Sequence, residues 1–320
     1  MNSWRRWVQA PQTLWLRRAL FQVHLWLGVS VGLYVLAISL SGSALLLKYQ
    51  FYTWFEPKTI TPLDTPPLED DALTARMAEV YAGYELGFTM EGNEPEDATY
   101  IVLEKDGEYF PHYFNQYTGE DNGSARTWHI VAVEWLADMH DDLFMGRTGR
   151  KINGIGGALI LLMSITGLFI WWQGRSRWYE GLIINPKSSR SIMWQLHSFA
   201  GFWALLLMVA WGVSGFELGF PRETRQLFNL FSGEGAAEGV TESIEGAGGF
   251  RRAPNRVLIF FRGIHFARLG SGPWAKWGWI LASFLPAIMF ISGFIVWWKR
   301  VILKRIVLLK ENRNLRKSVK

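Results

Sequence analysis

The sequence predicts a mainly α-helical membrane protein: a four-helix transmembrane bundle made from a duplicated helical hairpin, with a small α+β extracytoplasmic domain. Three observations carry this. The apolar residues of the 320-residue chain, 49% of the whole, are gathered into four long stretches. Those stretches carry matched histidine and glycine positions, and Lys and Arg fall on one side of the resulting topology.

The stretches are Phe21 to Leu47, Ile152 to Trp172, Ile192 to Phe216 and Trp274 to Trp298. Each is long enough to cross a hydrocarbon core of roughly 30 Å, which takes about 20 helical residues. Arginines ahead of the first stretch imitate a signal peptide, but the run is too long for an h-region. The predicted order is a cytoplasmic arm and first span over 1–50, the α+β domain over 51–127, an interfacial helix and second span over 128–173, and a cytoplasmic loop over 174–191. The third span (192–216), an outer loop (217–273), the fourth span (274–298) and a basic tail (299–320) complete it.

Orientation follows the basic residues. Arg5, Arg6, Arg17 and Arg18 precede the first span; Arg175, Arg177, Lys187 and Arg190 follow the second; and nine basic residues run from Lys299 to Lys320. With four spans all three groups share one side, which is read as cytoplasmic, with both termini inside. The acidic segment Glu56 to Asp142 then lies outside. The pI of 9.4 thus reflects positive-inside bias and gives no reason to expect a nucleic-acid partner. The lipid bilayer is the partner implied.

Within the outer segment, Asp70 to Tyr84 is patterned as a helix, Thr99 to Glu104 and Tyr109 to Phe114 alternate as strands, and Lys105-Asp106-Gly107-Glu108 has hairpin chemistry. Trp128 to Met139 reads as an amphipathic helix leading to the second span.

The spans repeat in pairs. His24 precedes Ser41-Gly42 by 17 residues, and His197 precedes Ser214-Gly215 by the same 17; glycine follows each histidine by four, at Gly28 and Gly201. His140 precedes Thr166-Gly167 by 26 residues and His265 precedes Ser292-Gly293 by 27. This is the signature of a duplicated unit.

Topology sorts the histidines into an inner pair, His24 and His197, and an outer pair, His140 and His265. Two imidazoles from facing helices are the ligand set of a six-coordinate haem, so the expectation is two haem b groups, one near each face, with His24, His197, His140 and His265 as iron ligands. Gly28 and Gly201 are expected to clear room for the macrocycle, although small residues also serve close helix packing. Arg147, Arg150, Arg262 and Arg268 flank the outer pair, and Arg17, Arg18 and Arg190 the inner; they read as propionate partners or interface anchors. The Trp171-Trp172 and Trp297-Trp298 endings read as an aromatic belt. His112 reads as a solvated strand residue and His129 stays outside the ligand scheme.

With no cysteine, thiolate sites, iron–sulfur clusters, disulfides and covalent haem are excluded. No phosphate loop, GxGxxG or zinc-protease motif is present, and no residue is assigned as a catalytic acid, base or nucleophile.

His140-Asp141-Asp142-Leu143-Phe144-Met145-Gly146 running to Thr166-Gly167-Leu168-Phe169-Ile170-Trp171-Trp172, and His265-Phe266-Ala267-Arg268-Leu269-Gly270 running to Ser292-Gly293-Phe294, resemble the PepSY-associated transmembrane family. That family includes bacterial ferric-siderophore reductases and iron-regulated membrane proteins. Tyr117-Thr118-Gly119-Glu120 resembles the turn that ends a PepSY domain, with Asn115-Gln116 in place of the family's usual Asp-Pro. The resemblance implies a haem-dependent oxidoreductase that passes electrons outward to a periplasmic ferric chelate such as a ferric siderophore, fed by a quinol or a cytoplasmic reductase. A membrane-anchored PepSY regulator or scaffold without redox activity is the competing reading. A transporter fits less well, because the spans hold almost no internal charge.

Overall fold

The computed structural model describes residues 7–9, 11–173, 178–187, 191–232 and 256–318. Arg5, Arg6, Arg175, Arg177, Arg190, Lys320 and residues 233–255 of the loop expected over 217–273 lie outside the described residues. Two compact units are formed, one from 1–46 with 138–320 and one from 47–137.

The first unit is helical. It contains α1 (Trp15–Leu45), and its other helices follow α2 (Lys48–Phe55) and α3 (Asp70–Val80) of the second unit in chain order. Helix α4 (Trp128–Asp142) begins in the second unit and ends in the first, carrying His140 in its last turn. Then come α5 (Arg147–Trp171), α6 (Ile192–Trp203), α7 (Leu205–Gly219), α8 (Pro221–Ser232), α9 (Arg256–His265), α10 (Pro273–Ser283), α11 (Leu285–Trp297) and, after a π-helical turn, α12 (Lys304–Ser318).

Among the described residues three helices are long and apolar enough to cross a membrane: α1, α5 and the continuous run Pro273–Glu311. The expected third span is not one straight helix. Its residues form α6 and α7, which pass the same test together but bend by 64° at Ala204, as a broken span or a re-entrant loop does. Leu33, Leu206 and Leu281 are 71%, 81% and 70% exposed, as lipid-facing side chains are where no water competes.

Local chemistry sets several boundaries. Ser191 caps α6 by accepting from the Trp194 N–H at 3.2 Å. Pro273 opens α10 and Pro286 lies in the first turn of α11, where the missing N–H costs no helix bond. At that second break Ser39 of α1 donates to the Ser283 carbonyl at 2.8 Å. Helices α5 and α7 touch backbone to backbone: a Cβ on Gly157 would meet the Gly212 carbonyl at 2.7 Å, and one on Gly219 would meet Gly154 Cα at 2.6 Å. Such contact is open to small residues alone, and it joins the two halves of the repeat.

The second unit packs α3 on an antiparallel sheet of order β1-β2-β3-β4, with β1 (Glu85–Met90), β2 (Thr99–Lys105), β3 (Glu108–Asn115) and β4 (Glu120–Ser124). Asp106 and Gly107 both have positive φ, the two-residue turn that suits the strand twist, so Lys105 pairs with Glu108. Leu73, Met77 and Tyr81 from α3 and its end bury against Ile101, Leu103 and Phe114. The sheet has two strands more than the sequence pattern announces.

Two histidines of this unit are structural. His112 is not a freely solvated side chain, since its Nδ1 bonds Asp121 Oδ1 at 3.0 Å and its ring packs on Tyr81. His129 stacks on Phe55 with ring centroids 3.8 Å apart and planes 6° from parallel, and Trp128 lies against it at 3.6 Å.

Candidate functional site

Helix α1 puts His24 and Ser41 at its two ends, 17 residues or about 25 Å apart along the axis. Helix α5, packed antiparallel to α1, brings Thr166 to the level of His24, and the end of α4 brings His140 to the level of Ser41. The second copy does the same: α11 brings Ser292 to His197 of α6, and α9 brings His265 to Ser214 of α7.

The structure joins the four predicted residues as two facing pairs. His24 and His197 have ring centroids 6.2 Å apart with planes at 77°, and His140 and His265 have centroids 6.2 Å apart with planes at 60°. Two imidazoles bound to one first-row metal at about 2 Å each, with roughly 1.1 Å from nitrogen to ring centre, stand about 6.2 Å apart. Each pair therefore has the separation of two rings sharing one ion. Among the described residues no cluster of three or more His, Cys, Asp or Glu could hold a metal, so each level offers a pair of histidines and no larger set of these ligands.

At each ring, Nδ1 is engaged by the neighbouring helix of its own hairpin. His24 Nδ1 lies 3.1 Å from Thr166 Oγ1, His140 Nδ1 3.1 Å from Ser41 Oγ, His197 Nδ1 3.3 Å from Ser292 Oγ and His265 Nδ1 2.8 Å from Ser214 Oγ. His140 Nδ1 also reaches the Ile38 carbonyl at 3.0 Å, and His197 Nδ1 the Met289 carbonyl at 2.9 Å. The glycine after the hydroxyl residue seats the ring: a Cβ on Gly42, Gly167 or Gly293 would stand 2.8, 3.2 or 2.9 Å from Cε1 of His140, His24 or His197. These Ser/Thr-Gly pairs were visible in the sequence as markers of the repeat, and their role beside the histidines was not.

Gly28 and Gly201 sit one turn from the inner histidines as expected. A Cβ on them would meet the methyl groups of Met163 and Met289 at 3.5 and 3.4 Å, so a flexible thioether side chain borders the space at each.

Burial pushes His265 down to about 4, with His140 nearby adding to the effect; burial also lowers His140 despite its bond to Ile38 and the proximity of Asp141. Both rings are neutral at pH 7, the form that binds metals.

The flanking arginines divide. Arg262 forks onto Glu217, a carboxylate only 3% exposed, with Nε 2.7 Å from Oε2 and the second nitrogen on Oε1. Arg150 pairs with Asp141 at 2.8 Å, and Arg268 lies over the Phe266 ring. Arg17 gives one nitrogen to the Ile170 carbonyl at 2.6 Å, while its Nε is buried without a partner among the described residues. Trp171 Nε1, Trp297 Nε1 and Gln173 Nε2 are likewise buried and unpaired among the described residues. The two indoles occupy equivalent places, each five residues after the hydroxyl that holds an inner histidine. The tryptophan endings are thus more than an outward belt: Trp171 stacks on Phe202 at 4.6 Å, Trp172 donates to the Trp7 carbonyl at 3.1 Å, and Trp298, 46% exposed, faces outward.

An uncharacterized protein of Pseudomonas aeruginosa is 26% identical over 89 residues, covering 27% of this chain and 21% of its own length, so the match spans about a fifth of that relative. A family model described as the PepSY-associated TM region matches residues 21–300 and takes in all four paired histidines. The chain belongs to the PepSY-associated transmembrane family.

Proposed function

We propose that the chain is a di-haem b oxidoreductase of the bacterial inner membrane, a four-span bundle with both termini cytoplasmic, that reduces a ferric compound, such as a ferric siderophore, on the periplasmic side. The observation that carries the reading is the pair of 6.2 Å histidine separations at two depths, each assembled from both halves of the repeat. Bound there, haem supplies a one-electron carrier at each depth, drawing from a quinol or a cytoplasmic reductase and delivering to ferric iron outside.

The chain's own residues have defined tasks. His24 and His197 hold the inner group, and His140 and His265 the outer. Apolar helices exclude water, and neighbouring hydroxyls orient the rings. The buried donors Arg17 Nε, Trp171 Nε1, Trp297 Nε1 and Gln173 Nε2 suit an acceptor-only carboxylate, which is what the edge of a haem carries. They lie at the end of α1 and α5 where the inner pair sits. Arg262 and Arg150 are already paired with carboxylates of the chain and serve packing at the other end.

The test is an absorption spectrum of the detergent-purified protein. Soret and α bands that sharpen on dithionite addition, with about two haems per chain by pyridine haemochrome, are expected, as is faster iron release from ferric chelates by membranes that contain the protein. A colourless protein, purified from haem-replete cells, would favour the regulator or scaffold reading instead.

A further inference from the structure

We infer that Ser41, Thr166, Ser214 and Ser292 are positioning residues that lock the four histidines as Nδ1–H tautomers and so present Nε2, unprotonated, to the partner histidine's side. The consequence for metal binding rests on the haem reading; the tautomer itself does not.

The argument is one of donors and acceptors. Each hydroxyl spends its own hydrogen inside its helix: Ser41 donates to Ala37 at 2.9 Å, Thr166 to Leu162 at 2.8 Å, Ser214 to Ala210 at 2.8 Å and Ser292 to Ile288 at 2.7 Å, all i−4 carbonyls. The oxygen that remains can only accept. A ring nitrogen within 3.3 Å of it must then bring the proton. At His140 and His197 a main-chain carbonyl, which never carries a proton, imposes the same assignment from a second direction. With Nδ1 protonated in a neutral imidazole, the lone pair resides on Nε2.

The arrangement occurs four times, on two kinds of hairpin and at both ends of the bundle, although the spacing from histidine to hydroxyl residue changes between them. Its constant part is a Ser or Thr facing Nδ1, followed by a glycine. At Gly42, Gly167 and Gly293 the missing side chain lets the imidazole lie against the helix closely enough for that bond. The hydroxyl therefore sets two things at once, the proton position and the direction in which Nε2 points.

His265 is the most sensitive case, since among the described residues Ser214 Oγ alone engages its Nδ1, whereas a carbonyl backs Ser41 and Ser292. The experiment is 15N NMR of the full-length protein with labelled histidine, prepared haem-free in detergent, followed by haem titration. In the wild-type protein all four rings should show a protonated Nδ1 and a bare Nε2. Ser214→Ala should give His265 a mixture of tautomers and weaken the haem site it shares with His140 about 10–100-fold. Ser214→Thr should restore both, and Ser292→Ala should have the smaller effect. Retention of the His24/His197 haem in Ser214→Ala reports that the variant has folded.

A protonated Nε2 on His265 in the wild-type protein, or a Ser214→Ala variant with unchanged tautomer and affinity, overturns the inference. If wild-type protein takes up no haem yet shows Nδ1–H throughout, the positioning role stands and the redox reading falls. If haem binds at both levels but the free rings are Nε2–H, the redox reading stands and this inference falls.

Discussion

Gly293 lies so close to His197 that a Cβ there would stand 2.9 Å from the ring's Cε1, and Gly167 repeats the relation to His24 at 3.2 Å. The ring would have to give way at each, disturbing the pair whose centroids stand 6.2 Å apart. Gly167→Ala and Gly293→Ala are therefore expected to lower haem content at the inner level. At Gly28 and Gly201 the same substitution meets the mobile end of a methionine side chain at ordinary contact distance, and the loss should be smaller. Pyridine haemochrome on the four purified variants checks the order. The reverse order would mean that the i+4 glycines, and not the Ser/Thr-Gly seats, border the cofactor.

Glu217 is the one charged residue among the fully buried side chains of the described residues, and Arg262 is its partner at the edge of the bundle, 47% exposed. Removing one member of a pair is costly in proportion to the burial of the charge left behind. Arg262→Ala, which strands the carboxylate, should destabilise by about 3–5 kcal/mol. Glu217→Gln leaves Arg262 partly in water and should cost less. Thermal unfolding of the two variants in the same detergent decides, and equal losses would contradict the asymmetry.

Asp121 links the α+β unit to pH. Burial opposes its ionisation, but hydrogen bonds from His112 and Tyr81 and the Gly123 N–H outweigh burial and hold the carboxyl below its ordinary value. A lowered folded value means that the stabilisation is complete above the unfolded value and vanishes as pH falls through the folded one. Asp121→Asn should lose about 1–2 kcal/mol at pH 7. The difference from wild type should close in strong acid, below the usual carboxylate range. Hydrogen exchange of residues 99–115 in the full chain follows this directly; a gap that widens in acid would refute the assignment.

Much of this arrangement could be read from the residues. The matched spacings around His24 and His197, and around His140 and His265, give both the repeat and the pairing, because antiparallel helices return each residue to a level set by its distance from the helix end. Asp106-Gly107 announces its hairpin because few residues tolerate two successive positive φ values. Other features leave no pattern. The bend at Ala204 has no proline within several residues, so the third span looks as continuous as the first. Strand β1, Glu-Leu-Gly-Phe-Thr-Met, has one half-buried residue, and β4, Glu-Asp-Asn-Gly-Ser, is polar throughout; both are strands because they pair with β2 and β3, and isolated propensity does not show that. The hydroxyl of Ser214 looks like an ordinary small residue of a membrane helix until His265, 51 residues away, is placed beside it. Glu217 and Arg262, 45 residues apart, break the internal symmetry with a pair that only packing brings together.

The pairing itself is most directly tested by haem stoichiometry in single and double variants. If His24 and His197 share one haem and His140 and His265 the other, His24→Ala, His197→Ala and the double variant His24→Ala/His197→Ala should each retain about one haem, whereas His24→Ala/His265→Ala should retain none. Two haems in every single variant, or a His24→Ala/His197→Ala protein that has lost both, would contradict it.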